Sequence, residues 1–478
     1  MKIKLLCGIC LCLLAGTLAA FEAKTRIFPA NCEAVLRIKA TSKWAKEWLN
    51  IAVEMKKAGK DKVKKGRAWP LVGYFREDRR YSDSEEYRSS SFIPEPLDFT
   101  VEGDEILVKT KLPGENIHYI VFSKLPAKPK GFRNFRNIKF QTLDQETFKL
   151  RPFKGNVHQH SNVSDGKFDP QDHVAYARIA GFDFISVADH RSFKQNAPTI
   201  AWAEKSGSGL TVYPGEELHT PNNVLHALSI GGTTGHSVSS RTPEWNKTVQ
   251  PVLNELVKKY PGISEKDLVC WAEALILARR AKADGALVVY CHPAWRPRHY
   301  INNNFPMIDF LIRSKEFHAI EIINSTMADN SRRDNLDAWA VFHEICVETG
   351  TKIAPISNSD SHNVSKDAYR RTYSLFFAPD CTFASFKEAV INGRIVACYD
   401  ISPDRATPQP LHLGASKYVR YANFLDATGY WKKHDEIARK QGELIHKLRK
   451  GDQSVLPEIT KLAKEINQYR CDFYYQEK

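Results

Sequence analysis

Beyond its first twenty residues the chain has no closely spaced cysteine pair. Three of its ten cysteines, Cys7, Cys10 and Cys12, fall in the N-terminal apolar run; ten minus three leaves seven, scattered from Cys32 to Cys471. Without a CxxC repeat among these seven, neither a zinc ribbon nor a disulfide-dense scaffold is indicated. The count allows one or two long-range bridges, with Cys32 and Cys471 as candidates. No later segment is apolar and long enough to cross a bilayer. No recognition motif accompanies the basic clusters MKKAGKDKVKKGRAW and FREDRRY, although the net charge is +14. Acidic residues are interleaved, so a solvated basic face or attraction for anionic ligands is expected, and no nucleic-acid partner.

What is present points to export and to several domains. Lys2 and Lys4 precede an uninterrupted apolar run that ends in small residues. This is the pattern of a signal peptide cleaved near Ala19 or Ala20, which predicts a secreted or periplasmic protein without a stable membrane span. A chain of 478 residues that is 42% hydrophobic is long enough for two or three cored domains. Residues 21–150 lack a metal constellation. Their short alternating strands, preceded by the helical WAKEWLNIAVEMKKAGK, suggest a β-rich domain, and LPAKPKGFRNF looks like a linker. Residues 151–400 alternate strand and helix. Residues 401–478 have helical periodicity broken at Lys450–Gly451–Asp452 and form an expected helical extension, packed through Trp431, Leu444 and Leu448, with His434 and His446 as surface or interface residues.

The rest is organised around the stretch Lys154–Arg191. His158 and His160 lie one residue apart at the end of an apolar run, so their side chains leave a strand on one face. SDG follows and places Asp165 in the next loop. FDPQDHVAYARIAGF reads as a helix with Asp169 as N-cap, Pro170 at its first position and Gly181 as its stop. FDFISVADH is a second strand, ending in Asp189 and His190. One strand–helix–strand unit thus brings imidazoles and carboxylates to one edge.

Later strand ends add to the set. GLTVYPGEELHT breaks at Pro214–Gly215 and presents Glu216, Glu217 and His219. VLHALSIGG carries His226, ALVVYCHPAW ends in His292, FHAIEIINS carries Glu321 and Asn324, and TKIAPISNSDSH ends in Asp360 and His362. Candidate ligands at the C-terminal ends of successive strands are the signature of an α/β barrel. Mixed histidine and carboxylate donors suit zinc, manganese or iron, and the lack of cysteine donors argues against a closed structural zinc site. Strand alternation is expected to turn Cys291 outward, away from His292.

The set His158, His160, Asp165, His190, Glu217, His226, His292, Asp360 and His362 resembles that of the PHP (polymerase and histidinol phosphatase) family. CHPAW, EIINS, SDSH and INGR are similar to its CehA/McbA-like branch. The resemblance implies a distorted (β/α)7 barrel and three divalent ions. His158, His160, Glu217 and Asp360 would hold the first, Asp165, His190 and His362 the second, and His226, His292 and bridging Glu217 the third. Glu217, Asp360 and His292 are the implied catalytic residues. Three carboxylates leave three divalent ions with excess positive charge, which favours a small anionic substrate and phosphoester hydrolysis by metal-activated water. Arg191, Arg296 and Arg298 follow ligand-bearing strands and are candidates to grip an oxyanion. Asn324 is a candidate substrate contact and Trp295 a pocket wall. Carbamate or amide ester hydrolysis, and a non-enzymatic metal-binding scaffold, are the alternatives.

Overall fold

A computed structural model describes residues 20–58, 71–76, 95–123, 135–221, 225–293, 305–324, 343–350, 352–401 and 409–476. The chain divides into two compact units, one running to Phe148 and taking in the residues from Arg470 on, the other spanning Lys149–Tyr469.

The first unit is β-rich. Strands β1 (Phe21–Glu22), β3 (Cys32–Ala40), β7 (Glu105–Leu112) and β6 (Phe99–Glu102) form one sheet in the order β1-β3-β7-β6. Strands β2 (Ile27–Pro29), β9 (Phe135–Leu143), β8 (Ile117–Ser123), β4 (Leu71–Arg76) and β5 (Glu95–Pro96) form another, in that order. Along β3 the buried Ala34, Leu36, Ile38 and Ala40 alternate with exposed residues, the period of a half-buried strand. They pack with Trp48 of the helix Lys43–Ala58 and with Phe122 of β8 in one apolar cluster. The expected linker falls largely outside the described residues, but it does not separate the units. The strand beyond it, β9, pairs with both β8 and β2 of the same sheet.

In the second unit one sheet runs β12 (Thr211–Val212), β11 (Phe184–Ile185), β10 (Arg151–Asn156), β18 (Thr372–Ala378), β19 (Ile395–Asp400), β20 (Pro410–Gly414). The other runs β13 (Gly215–His219), β14 (His226–Ile230), β15 (Leu287–Tyr290), β16 (Ala319–Asn324), β17 (Ala354–Asn358). Among the described strands of this unit, β10–β11–β12 and β15–β16–β17 pair in parallel. The pairs β13–β14, β14–β15, β18–β19 and β19–β20 are antiparallel. The unit is therefore mixed α/β, and among the described residues its strands close no (β/α)7 barrel. Antiparallel neighbours replace the helical crossovers that a parallel barrel needs. Isolated bridges link residues beyond β10 and β17 (Gln159 with Ser361), and the segment after β11 to β13 (His190 with Glu217).

Phe153, Phe184, Leu228, Val289, Ile356 and Phe376, drawn from both sheets, belong to one buried cluster. The other face of β14–β16 is covered through Leu253, Trp271 and Phe310 by the helices Pro243–Lys259, Glu265–Ala283 and Phe305–Arg313. The helix expected from Asp169 begins later and spans Asp172–Ile179, with Gln171 at its N-cap. The Asp169 carboxylate is used elsewhere, accepting from Asn162 Nδ2 at 2.5 Å and pairing with Arg449 at 3.3 Å. Gly181 ends the helix as expected, at φ +80° and so close to Asp435 that a Cβ would collide with its carboxylate.

The C-terminal region is not purely helical, since β20 extends a sheet. Its helices are Ser416–Ala427, Tyr430–Arg449 and Leu456–Asp472, broken at Gly451 with φ +104°. Trp431 and Leu448 are buried as expected. His434 is not a surface residue. It is fully buried, with Nε2 3.1 Å from Asp183 and Nδ1 3.0 Å from Asp435, whose other oxygen meets the buried Lys154 ammonium at 2.8 Å. His446 packs edge-on against Tyr176.

Candidate metal centre

Glu217 lies at the middle of the site because β13 places it on the inward face. Leu218 beside it joins the outer apolar cluster, and the Glu216 carboxylate accepts from the backbone N–H groups of His236 and Ser237. The Glu217 carboxylate is fully buried. Its Oε2 lies 3.4 Å from His158 Nε2, 3.3 Å from His160 Nε2 and 2.6 Å from His190 Nδ1. Its Oε1 lies 2.7 Å from His226 Nδ1 and 3.2 Å from His292 Nε2. One carboxylate thus faces five imidazoles.

Asp360 and Asp165 complete the carboxylates. Asp360 Oδ1 lies 2.9 Å from His160 Nε2 and 3.3 Å from His158 Nε2. Asp165 Oδ2 lies 3.5 Å from His190 Nε2 and 3.3 Å from His362 Nε2. The buried Asp189 holds the turn carrying Asp165, accepting from Ser161 N–H and from the hydroxyls of Ser161 and Ser164. The nine expected ligands therefore converge. Four-donor groups with atoms within 4.8 Å of one another include His158, His160, Glu217 and Asp360, and also His160, Asp165, His190 and His362.

Three positions at strand ends here have left-handed backbones: Arg191 (φ +52°), His292 (φ +25°) and Asp360 (φ +49°). Such conformations cost non-glycine residues about 1–3 kcal/mol each and persist where the surroundings hold them. The Asp360 N–H donates to His158 O, and the His292 N–H to Glu321 Oε2. The turn at His292 also corrects the expectation for Cys291. Along β15, Val288 and Tyr290 belong to the outer cluster, Val289 and Cys291 to the inner one. Alternation sends Cys291 inward, and it is His292 that departs from it. Cys291 Sγ lies 3.7 Å from Glu217 Oε1, and Cys291 forms a four-donor group with His158, Glu217 and His292.

Charges inside the site are strongly shifted. Burial opposes protonation of His158, but Asp360, Glu321 and Glu217 outweigh it and hold its pKa well above the ordinary value. His190 is pushed up to about 10, against its burial, by Glu217 and Asp165. His362 is raised against burial chiefly by Asp165. Burial drives His219 down to about 2, with His226 adding to it, and also lowers His160 and His226. Glu217, Asp165 and Asp360 are held well below the carboxylate range, their burial outweighed by the surrounding imidazoles. Buried carboxylates and imidazoles that face one another are satisfied by shared protons or by a cation between them. His158 Nε2 and Glu217 Oε2 are buried with no hydrogen bond of good geometry, which fits them to divalent metal.

Sequence reasoning passed over two residues it had on view. Glu321, fully buried, accepts from His158 Nδ1 at 3.0 Å, from Asn358 Nδ2 at 3.0 Å and from Asn324 Nδ2 at 2.9 Å. His219, 4% exposed, places Nε2 2.7 Å from His190 Nδ1 and lies tilted against His226 with ring centroids 4.0 Å apart. Its signal was its place two residues after Glu217. Asn324, expected to touch substrate, is fully buried and donates to Glu321 and to Asp360 Oδ2, so its amide orients carboxylates. Arg191 is exposed beside the site. Arg296, Arg298 and Trp295 lie outside the described residues.

No protein-family description and no curated protein matches the chain. Solved structures that match part of the chain include a two-domain protein containing a predicted PHP-like metal-dependent phosphoesterase from Bacteroides vulgatus. It is 18% identical over 54% of this chain and 74% of that one, with a TM-score of 0.36. A protein of Bifidobacterium adolescentis, provisionally called a metal-dependent phosphoesterase, is 16% identical over 45% of this chain and 89% of its own, with a TM-score of 0.31. An amidohydrolase from Chromobacterium violaceum, with bound sulfate and no metal, is 15% identical over 44% and 87%, with a TM-score of 0.26.

Proposed function

We propose that the chain is an exported metal-dependent phosphoesterase of the PHP type, in its CehA/McbA-like branch. The observation that carries this reading is the buried Glu217 carboxylate with five imidazoles within 3.4 Å. His158, His160, Glu217 and Asp360 would hold a first ion, Asp165, His190 and His362 a second, and Glu217, His226 and His292 a third, as manganese, zinc or iron. Bound divalent ions supply Lewis acidity toward a phosphoryl oxygen and lower the pKa of water.

The chain's own residues set the geometry. Glu321 fixes the ring of His158 through Nδ1, leaving Nε2 to face Glu217 and Asp360. Asn324 holds the second oxygen of Asp360. Burial of Glu217, His158 and His160 excludes water from the inner side, while Asp165 and His362, with side chains 55% and 33% exposed, open the outer side to substrate. Arg191 borders that opening in sequence, directly after His190. Three carboxylates against three divalent ions leave net positive charge for an anionic phosphoryl group.

The enzyme is expected to release alcohol or phenol from simple phosphoesters with manganese or zinc present, and inorganic phosphate to inhibit competitively. Arg191→Ala should weaken that inhibition about tenfold, the scale of one charge-assisted hydrogen bond, with metal content unchanged. Turnover of aryl carbamates without phosphoester hydrolysis or phosphate inhibition would move the assignment to a carbamate or amide ester hydrolase. Bound metal without turnover of either class would leave a scaffold. Export carries its own check, a mature N-terminus near Ala20 or Phe21 on the protein from its native host; an intact Met1 would refute it.

A further inference from the structure

The donors around Glu217 fall into groups that share a residue. His190 Nε2 lies 3.5 Å from Asp165 Oδ2, which His362 Nε2 approaches to 3.3 Å. His190 Nδ1 lies 2.6 Å from Glu217 Oε2 and 2.7 Å from His219 Nε2. His190 accordingly joins two four-donor groups, one with His160, Asp165 and His362, the other with Glu217, His219 and His226. One imidazole serves two cations only as an imidazolate, after losing the proton that a neutral ring retains. Among the described residues His219 belongs to one of these four-donor groups, that of His190, Glu217 and His226.

Strand geometry puts His219 there. Strands β13 and β14 are antiparallel with His219 directly opposite His226, and Glu217 precedes His219 by two residues on the same face. The two rings lie 33° apart in plane, and both residues are buried, at 4% and 6% exposure. His226 Nδ1 is 2.7 Å from Glu217 Oε1. Two imidazoles and a carboxylate converge from one hairpin.

We infer that His219 is a metal ligand, holding one divalent ion together with Glu217 and His226, while His190 gives its Nε2 to the ion shared with Asp165 and His362. The inference rests on the reading of this site as a metal centre. It extends the ligand set from nine residues to ten, and it gives the ion proposed for Glu217, His226 and His292 a donor set of three histidines and one carboxylate, which suits zinc or iron over magnesium or calcium.

The test uses cobalt(II) as the probe on the full chain, with wild type, His219→Cys and His219→Ala compared. His219→Cys should gain a near-ultraviolet thiolate-to-cobalt charge-transfer band relative to wild type. Any contribution from Cys291 is common to both proteins and cancels in the difference. After dialysis, His219→Ala should carry one ion fewer per chain than wild type, or bind that ion about 10–100-fold more weakly. A His219→Cys protein that binds cobalt without the extra band, or a His219→Ala protein with wild-type stoichiometry and affinity, overturns the assignment of His219 while the metal centre stands. A wild-type chain that binds no cobalt overturns the metal centre itself, and His219 with it.

Discussion

Glu321 sits where a metal-ligating histidine usually has its supporting carboxylate. His158 Nδ1 meets Glu321 Oε1 at 3.0 Å, and the other oxygen accepts from His292 N–H, so one side chain orients two of the expected ligands. Replacing it with glutamine keeps the shape and removes the charge. Glu321→Gln is predicted to lower metal affinity or turnover about 10–100-fold, read by competition with a chelating dye and by steady-state kinetics. Wild-type affinity and rate in that variant would show that the carboxylate has no such role. At this scale the sequence was readable where a candidate donor lies in or just beyond a strand, as at His158, His160, Glu217 and Asp360, which the fold brings together. It was less readable where the neighbour across the ladder decides. His219 joins the cluster through its pairing with His226, and His292 faces the same side as Cys291 because its left-handed backbone leaves the strand alternation that Cys291 follows.

Among the elements, β16 is tied to its neighbours by the residue just before it. His318 N–H donates to Val288 O, its carbonyl accepts from Ala354 N–H, and its ring Nδ1 accepts from Val288 N–H at 2.9 Å. Burial first, then the charges of Lys282 and Lys387, lower its pKa to about 4. The unfolded chain takes up this proton near 6.5 and the folded chain only near 4. The stability it contributes is thus present above pH 6.5 and lost as the pH falls from there through 4. Denaturant midpoints measured across that window should fall more steeply for wild type than for His318→Asn. Parallel slopes would contradict the assignment. Strand and helix positions were largely legible in the periodicity, as in the helix Glu265–Ala283 capped by Ser264 and followed by Gly285 at φ +84°. The later start at Asp172 was not, because Asn162 and Arg449 compete for the Asp169 side chain. The antiparallel partners of β14 and β18 were hidden as well, since alternation along a strand does not say which way its neighbour runs.

Over the whole chain, the boundary between the units comes near Phe148, beyond the stretch that looked like a linker, and the residues after Tyr469 belong to the first unit. Sequence distance carries no trace of that return: Tyr475 N–H donates to Ile27 O at 2.8 Å across most of the chain's length. No helix among the described residues is long and apolar enough to cross a membrane. The proposed metal centre belongs to this scale too, because its candidate donors, from His158 to His362, meet only in the folded second unit. Its most direct test is anomalous scattering from crystals of the full chain grown with manganese or zinc. Three anomalous peaks are predicted within coordination distance of the set around Glu217, with one of them bounded by His158, His160 and Asp360. Crystals soaked at saturating metal that show no peak beside Glu217 would contradict the account.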